Sequence, residues 1–231
     1  MADVKQGDYV AVFGCGPVGQ MAIAAAFHLG AKEVFAIDVV ADRLKVAKQQ
    51  GATPINFEKS DPVEQLKKRT NGFGPDSVID AVGIDAQRPH KGPTTSIVGV
   101  METVLEKTAG APFAALTGNH WQKGDGPQQV LQWCIDSVRK SGVVSIIGVY
   151  PETEDNFPIG KVMAKALTVR AANCSHRKYI PKCLKMMEDT PFRPSTILSV
   201  FEGLEKAVDC YKHFDKREPG WLKVELVPEQ Q

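Results

Sequence analysis

Three glycines near the start of the chain are spaced so that a polypeptide backbone could hold a pyrophosphate. The stretch VAVFGCGPVGQMAIAAAFHLGA places Gly14, Gly16 and Gly19 between a short apolar run and a helical pattern. In such a G-x-G-x-x-G turn, the glycines permit a tight turn, a close approach of the phosphates and close packing of helix on strand. The free N–H groups and positive dipole end of the helix favour the anion. This motif predicts a dinucleotide-binding turn.

Asp38 is the second chemical signal, because it ends the next predicted strand and follows Gly19 by nineteen residues. A carboxylate there can accept hydrogen bonds from an adenosine ribose and would repel the 2'-phosphate of NADP. Val39 and Val40 follow, so no basic residue directly offsets that charge. We therefore predict NAD(H) rather than NADP(H). An ordinary strand-to-helix turn and an adenosyl-dependent methyltransferase share parts of this pattern and are the alternatives.

The elements that must position these residues alternate between strands and helices. The runs YVAVF, EVFAID, PINF and SVIDAVG are separated by helical patterns at 18–29, 41–50 and 62–70. The series resumes with the helix PQQVLQWCIDSVRK and the strands VVSIIGV and LTVRAA. Strands that are apolar on both faces are typical of a parallel sheet covered by helices. We predict an α/β fold, a doubly wound parallel six-stranded Rossmann sheet.

A proline- and glycine-rich stretch interrupts this alternation at about 84–127, which we interpret as an insertion after the fourth strand with a helix at 96–108. After Cys174 the sequence predicts the helices YIPKCLKMMED and LEKAVDCYKHFDKRE and a last strand, WLKVELV. We predict an NAD-binding domain at 1–174 and a C-terminal segment, helical with one strand, at 175–231.

Composition excludes several partners. With 28 basic and 27 acidic residues, no long-range field favours nucleic acid or an anionic membrane. No run reaches the roughly 18 apolar residues of a membrane helix. The five cysteines are widely spaced without a C-x-x-C pair, and none of the five histidines stands at ligand spacing from a cysteine or carboxylate. We expect no metal site, and free thiols without a signal peptide predict a cytoplasmic protein.

The stretch VKQGDYVAVFGCGPVGQMAIAAAFHLGAKEVFAIDVVADRLKVAKQQGA resembles the cofactor domain of the zinc-dependent medium-chain alcohol dehydrogenases. The stretches VRKSGVVSIIGVY and FPIGKVMAKALTVR, with the tail AVDCYKHFDKREPGWLKVELVP, resemble the branch that contains the formaldehyde-dehydrogenase-like enzymes. The resemblance covers nearly the whole chain. It implies that the segment at 175–231 belongs to the catalytic domain of such enzymes.

The resemblance implies a set of cofactor-binding residues along the carboxyl ends of the strands. They are the pyrophosphate cradle Gly14, Gly16, Pro17, Val18 and Gly19; Asp38 and Arg43 at the adenine ribose; Ala81, Val82 and Gly83 lining the cleft; Gly148, Val149 and Tyr150 facing the nicotinamide amide; and Lys223 near the phosphates. Two of these have plainer interpretations, because Arg43 also fits a solvated helix charge and Lys223 an ordinary lysine of an edge strand.

In the complete enzymes that this chain resembles, hydride passes between nicotinamide and a small alcohol or aldehyde while zinc polarises the oxygen. The zinc ligands lie in a domain that precedes the glycine motif, whereas this sequence begins with the segment leading into the first cofactor strand. We expect the NAD(H)-binding part of such a dehydrogenase, a truncated chain without zinc or turnover of its own. The alternative is a non-catalytic NAD(H)-binding or sensing module, and a methyltransferase fits less well.

The sixth strand, LTVRAA, is expected at an edge of the sheet. An apolar, β-branched edge that is left unpaired favours pairing with a second copy of the chain. The resemblance implies the same arrangement, so we predict a homodimer joined through this strand.

Overall fold

The structure, a computed structural model, describes residues 1–89, 126, 128–150, 157–189 and 193–228. Most of the predicted insertion at 84–127, including its helix at 96–108, lies outside the described residues. The strands are β1 Tyr9–Phe13, β2 Glu33–Asp38, β3 Thr53–Asn56, β4 Ser77–Asp80, β5 Val143–Ile146, β6 Thr168–Ala171, β7 Val200–Gly203 and β8 Val224–Val227. The helices are α1 Pro17–His28, α2 Ala41–Gln49, α3 Pro62–Arg69, α4 Gln129–Ser137, α5 Ile159–Ala164, α6 His176–Asp189 and α7 Ala207–Asp215.

The first six strands form one parallel sheet in the order β3-β2-β1-β4-β5-β6. Phe13 at the end of β1 is in register with Ile37 of β2 on one side and with Asp80 of β4 on the other. The order reverses between β1 and β4, which is the switch point where doubly wound sheets bind ligands. The predicted six-stranded, doubly wound α/β fold is therefore confirmed.

Two hydrophobic clusters cover the two faces of the sheet, as the continuously apolar strands predict. On β1, Ala11 and Phe13 belong to one cluster, whereas Val10 and Val12 belong to the other. Trp133 of α4 packs against Phe13, with ring centroids 6.3 Å apart. A parallel strand buried on both faces has no polar side to alternate with, so its sequence shows a run rather than a period of two.

Two elements were not predicted from the sequence. Helix α5 supplies the crossover between the parallel strands β5 and β6, which a short loop cannot make. Strand β7 pairs in parallel with β8, with Val200 opposite Val224, and forms a separate two-stranded sheet. Both are short: α5 has six residues and β7 has four, so neither shows a clear period.

The C-terminal segment contacts α1 of the larger sheet domain through a 3-10 turn at Pro194–Ile197, in which Ile197 is buried with 7% exposure. The boundary at 174/175 stays a prediction. No helix within the described residues is long and apolar enough to cross a bilayer.

Candidate cofactor site

The glycine turn follows β1 and lies at the carboxyl edge of the sheet. Gly14 has a φ of +86°, which side chains other than glycine rarely adopt, and its amide donates a 2.8 Å hydrogen bond to the Ile37 carbonyl. A Cβ at this position would overlap the Val82 side chain. The turn after β1 is thus pressed against the loop after β4, and two of the predicted segments meet here.

Gly19 and Gly16 face different surroundings. A Cβ on Gly19 would overlap the Gly14 carbonyl oxygen, so only glycine lets α1 lie this close to the turn that precedes it. Around Gly16 the nearest side-chain atom is the Arg43 Nη1, 3.8 Å from where a Cβ would be. The backbone of Gly16 is therefore accessible to a ligand from the side on which Arg43 lies.

Helix α1 begins at Pro17 without a side chain that caps its first turn. The amides of Val18 and Gly19 lie in that first turn, where they have no carbonyl partner within the helix. Val18 itself is 57% exposed. Uncapped amides beside accessible backbone are the arrangement that binds a phosphate group at a helix start.

The Asp38 carboxylate is 6% exposed and organises the glycine turn from the end of β2. Its Oδ2 accepts a 2.7 Å hydrogen bond from the Cys15 amide, and its Oδ1 accepts from the amides of Val39 and Val40 at 2.7 and 2.8 Å. A carboxylate has about four lone-pair sites. Three are occupied by backbone, so one site, on Oδ2, remains for a ribose hydroxyl.

Arg43 lies one turn into α2 and faces Asp38, with Nη1 4.0 Å from Oδ2. Its side chain is 15% exposed. Burial lowers the pKa of the Arg43 guanidinium from its usual value, while the charge of Asp38 acts in the opposite direction. The side chain is therefore largely buried beside Asp38, unlike the solvated helix charge of the plainer interpretation.

Gln20 is a positioning residue that sequence reasoning missed. It is fully buried, and its Nε2 donates to the carbonyl of Cys15 at 2.9 Å and to that of Arg43 at 2.8 Å. Its Oε1 accepts a 2.6 Å hydrogen bond from Gln50. One amide thereby joins the glycine turn to α2. The only sequence signal was a polar residue directly after Gly19 on an otherwise apolar helix face.

Asp80 ends β4 and accepts hydrogen bonds from the loop that follows it, as Asp38 does at the end of β2. Its Oδ1 accepts hydrogen bonds from the amides of Val82 and Gly83 at 2.9 and 3.0 Å. Its Oδ2 accepts a 2.7 Å hydrogen bond from the Tyr150 hydroxyl. This carboxylate, fully buried, was not among the predicted site residues.

The loops after β4 and β5 contact each other through two glycines. Gly83 and Val149 form an isolated parallel bridge, and the Ile84 amide donates a 2.8 Å hydrogen bond to the Val149 carbonyl. A Cβ on Gly148 would overlap the Gly83 amide nitrogen. Val149, which is 71% exposed, therefore projects from a backbone that is closely packed beneath it.

The tail reaches the same edge, but through residues other than the one predicted. Arg217 donates a 3.2 Å hydrogen bond to the Asp85 carbonyl, and the Gly220 amide donates one of 2.9 Å to Asp42. The described contacts of Lys223 are backbone hydrogen bonds with Ser199 and Val200. The structure thus brings all the predicted site segments together except Lys223.

Away from this edge, the described residues form a shallow cleft but no cluster of metal ligands. In the part of the chain that the structure describes, no three His, Cys, Asp or Glu side chains lie close enough together to hold a metal ion. A shallow cleft of about 430 Å³ lies near the amino ends of β4 and β5, on the opposite edge of the sheet. It is lined by Lys67, Phe73, Asp136, Val138, Lys140, Lys161, Ala164 and Lys165.

The sheet order and the glycine turn at its switch point define the class: an α/β domain with the Rossmann-like fold of the alcohol dehydrogenase cofactor domain. Residues 17–90 match the model of the zinc-binding dehydrogenase family (ADH_zinc_N). The chain's homologues include zinc-type alcohol dehydrogenase-like proteins.

Three relatives illustrate the similarity. The chain is 31% identical over 98% of its length to an uncharacterized zinc-type alcohol dehydrogenase-like protein, AdhB, of Bacillus subtilis, covering 54% of that protein. It is 32% identical to the structure of alcohol dehydrogenase TADH from Thermus sp. ATN1, with a TM-score of 0.76 over 99% of this chain and 54% of that one. It is 45% identical to an NADP-dependent isopropanol dehydrogenase of Entamoeba histolytica, over 36% of this chain and 23% of that protein. The chain spans about half the length of the first two.

Proposed function

We propose that the chain binds NAD(H) along the carboxyl edge of the six-stranded sheet. The observation that carries this proposal is the contact between segments far apart in sequence: Asp38 holds the Cys15 amide, and Gly14 packs against Val82. The glycine turn and the α1 amides bind the pyrophosphate, and Asp38 accepts a ribose hydroxyl on Oδ2. Ala81 to Gly83 line the cleft between the two halves of the cofactor.

The preference for NAD(H) over NADP(H) is the finer part of this proposal. A 2'-phosphate would have to approach a carboxylate whose remaining acceptor site points at the ribose, and the two anions would repel each other. Arg43, 4.0 Å from the same oxygen, offsets part of that repulsion. We therefore expect a preference for NADH and not an absolute exclusion of NADPH.

We further propose that the chain is the cofactor-binding part of an alcohol or aldehyde dehydrogenase, of the formaldehyde-dehydrogenase-like branch that its 138–150 stretch and tail resemble. The bound nicotinamide supplies the hydride acceptor or donor. This chain binds the cofactor and orients the nicotinamide through residues 148–150. The hydrogen bond from Tyr150 to Asp80 holds this segment in place. The described side chains do not form a zinc site. Lys223 near the phosphates stays a prediction.

The second candidate is an NAD(H)-binding or sensing module that catalyses no reaction. It is supported by the contacts at the carboxyl edge, which fit the binding of a cofactor. We propose a homodimer in either case. Within the described part of the chain, strand β6 pairs on one side, with β5, and its residues Thr168, Arg170 and Ala171 are exposed. A cytoplasmic location is supported by the buried free thiols of Cys15, Cys134 and Cys210.

The test is a titration of the purified chain with NADH and NADPH by calorimetry, followed by elemental analysis for zinc and an assay of alcohol and aldehyde turnover at stoichiometric protein. Saturable NADH binding that is tighter than NADPH binding supports the cofactor site. Binding without turnover favours the non-catalytic module for the chain by itself, whereas turnover favours the dehydrogenase. No binding of either cofactor would overturn the proposal.

A further inference from the structure

The turn between α7 and β8 is anchored at two points on the adenosine end of the cofactor edge. Arg217 donates a 3.2 Å hydrogen bond to the carbonyl of Asp85, two residues beyond Gly83. The Gly220 amide donates one of 2.9 Å to the carboxylate of Asp42, in the first turn of α2. The turn therefore spans the gap between the loop after β4 and the start of α2.

This gap is where the proposed site places the adenosine. Asp42 directly precedes Arg43, whose Nη1 is 4.0 Å from Asp38 Oδ2 and overlooks the glycine turn at Gly16. Arg217 lies close enough for its charge to lower the pKa of Arg43, second to burial among the lowering effects. Arg43, paired with Asp38, and Arg217, bonded to the Asp85 carbonyl, thus bring two positive charges near each other at this end of the edge.

Arg217 is held in this place by an unusual backbone. Its φ is +56°, which is uncommon for a residue with a side chain and costs energy that glycine would avoid. The turn is also braced by neighbouring groups: His213 Nδ1 lies 2.6 Å from Glu218 Oε2, and the His213 ring stacks on Trp221 with centroids 4.6 Å apart. Arg217 thus follows the end of α7 in the left-handed conformation, in a turn whose position these contacts fix.

We propose that Arg217 is a cofactor-binding residue, supplied by the C-terminal segment to the adenosine end of the site, whose charge with that of Arg43 lets the site accept a 2'-phosphate. The Asp85 carbonyl occupies one of the five N–H donors that an arginine carries. The remaining donors form a planar fork suited to a phosphate. This inference rests on the proposed cofactor site, and it assigns NADPH the place of a weaker second cofactor.

The experiment separates the effect of the 2'-phosphate from that of the rest of the ligand. ADP-ribose and 2'-phospho-ADP-ribose are titrated by calorimetry into the unchanged chain and into R217Q, R217G and K216Q. R217G removes the charge but relieves the positive φ, so its folding should match or exceed that of the unchanged chain. K216Q removes an exposed neighbouring charge and is the matched control.

We expect R217Q and R217G to weaken 2'-phospho-ADP-ribose about tenfold, the loss of one charge-assisted contact, and ADP-ribose by roughly two- to threefold. K216Q should change both affinities less than about twofold, as expected of a screened surface charge. If the unchanged chain binds both ligands and R217G leaves the 2'-phospho affinity intact, the inference is wrong while the cofactor site stands. If the unchanged chain binds neither ligand, the cofactor site and the inference fail together.

Discussion

The hydroxyl of Tyr150 donates a 2.7 Å hydrogen bond to Oδ2 of Asp80, a carboxylate with no solvent exposure at the end of β4. The other oxygen of Asp80 holds the amides of Val82 and Gly83. One buried carboxylate therefore fixes both loops that we expect on either side of the nicotinamide half of the cofactor. A buried charge of this kind depends on every one of its partners.

Removing the hydroxyl of Tyr150 should therefore destabilise the fold. Tyr150→Phe leaves one oxygen of Asp80 without that donor, and we expect the free energy of unfolding to fall by about 1.5–3 kcal/mol, with weaker NADH binding. Urea unfolding and NADH titration measure the two effects. Tyr211→Phe is the control, because Tyr211 is 74% exposed. Equal unfolding midpoints for the two variants would show that the Tyr150 hydrogen bond contributes nothing.

Replacing Gly19 in α1 and Gly160 in α5 by alanine should change the free energy of unfolding in opposite directions. Gly19→Ala puts a methyl group into the Gly14 carbonyl, so we expect a loss of about 1–3 kcal/mol in the free energy of unfolding and loss of NADH binding. Gly160 in α5 is exposed with nothing within 4 Å of a Cβ, so Gly160→Ala should stabilise by roughly 0.5–1 kcal/mol. Chemical denaturation compares them. A stable Gly19→Ala variant that binds NADH would contradict the close packing described here.

Neutralising Asp38 should relax the choice between cofactors. Asp38→Asn keeps the side-chain shape but removes the negative charge beside the ribose, and one of its two groups no longer accepts hydrogen bonds. We expect weaker NADH binding and about a tenfold smaller ratio of NADH to NADPH affinity. The exposed Glu64→Gln change on α3 controls for overall charge. An unchanged ratio would mean that Asp38 does not discriminate the 2'-phosphate.

The proposed dimer can be tested at the outer edge of β6. The Thr168 amide donates to the Gly142 carbonyl on the β5 side, so the amides of Val169 and Ala171 point away from the sheet. Ala171→Pro removes one outward donor without touching the β5 ladder, and it should convert dimers to monomers at micromolar concentration. Sedimentation velocity measures this, and Ala171→Ser should stay dimeric. Dimers of Ala171→Pro would place the association on another surface. Substituting Val169 is a less clean test, because its side chain packs against the core.

Lys165 allows a prediction about pH. Its ammonium donates to the Ile135 carbonyl at 2.7 Å near the end of α4, and burial, followed by the charge of Lys67, lowers the pKa of Lys165. Because the folded-state pKa lies below the unfolded value, the charged form is disfavoured by folding. The resulting loss of folding stability is largest at pH values below the folded-state pKa. It disappears as the pH rises past the unfolded-state pKa.

Lys67→Gln removes part of that cost, so it should stabilise the chain at pH 7 by roughly 0.2–0.5 kcal/mol after solvent screening, with the gain fading as the pH rises through the lowered folded-state pKa of Lys165. Lys68→Gln removes a neighbouring charge from the same last turn of α3 and should give no such gain. Thermal unfolding between pH 7 and pH 10.5 measures the difference. A gain that persists at high pH would point to a cause other than Lys165.

The locally encoded parts of this protein could be predicted. Apolar runs bounded by glycine, proline and helical patterns identified β1 to β6 and the four helices α1 to α4, and the same glycines with Asp38 identified the edge where a cofactor would bind. The short α5 and β7 could not be found this way. Their four to six residues carry too little periodicity, and pairing with β8 or the need for a crossover determines their structure.

The sequence by itself determined the fold class and the position of the glycine turn, because each depends on residues within one or two turns of one another. Only the tertiary structure decided which side chains complete the site. Tyr150 is 70 residues from Asp80, and Arg217 is 132 residues from Asp85. Such contacts depend on the order of the strands in the sheet and on where the C-terminal turn docks. A one-dimensional pattern of residue types specifies neither the strand order nor the position of the turn. The same reason explains why the contact of Arg217 with the Asp85 carbonyl was not predicted from the sequence, while a place for Lys223 near the phosphates stays a prediction.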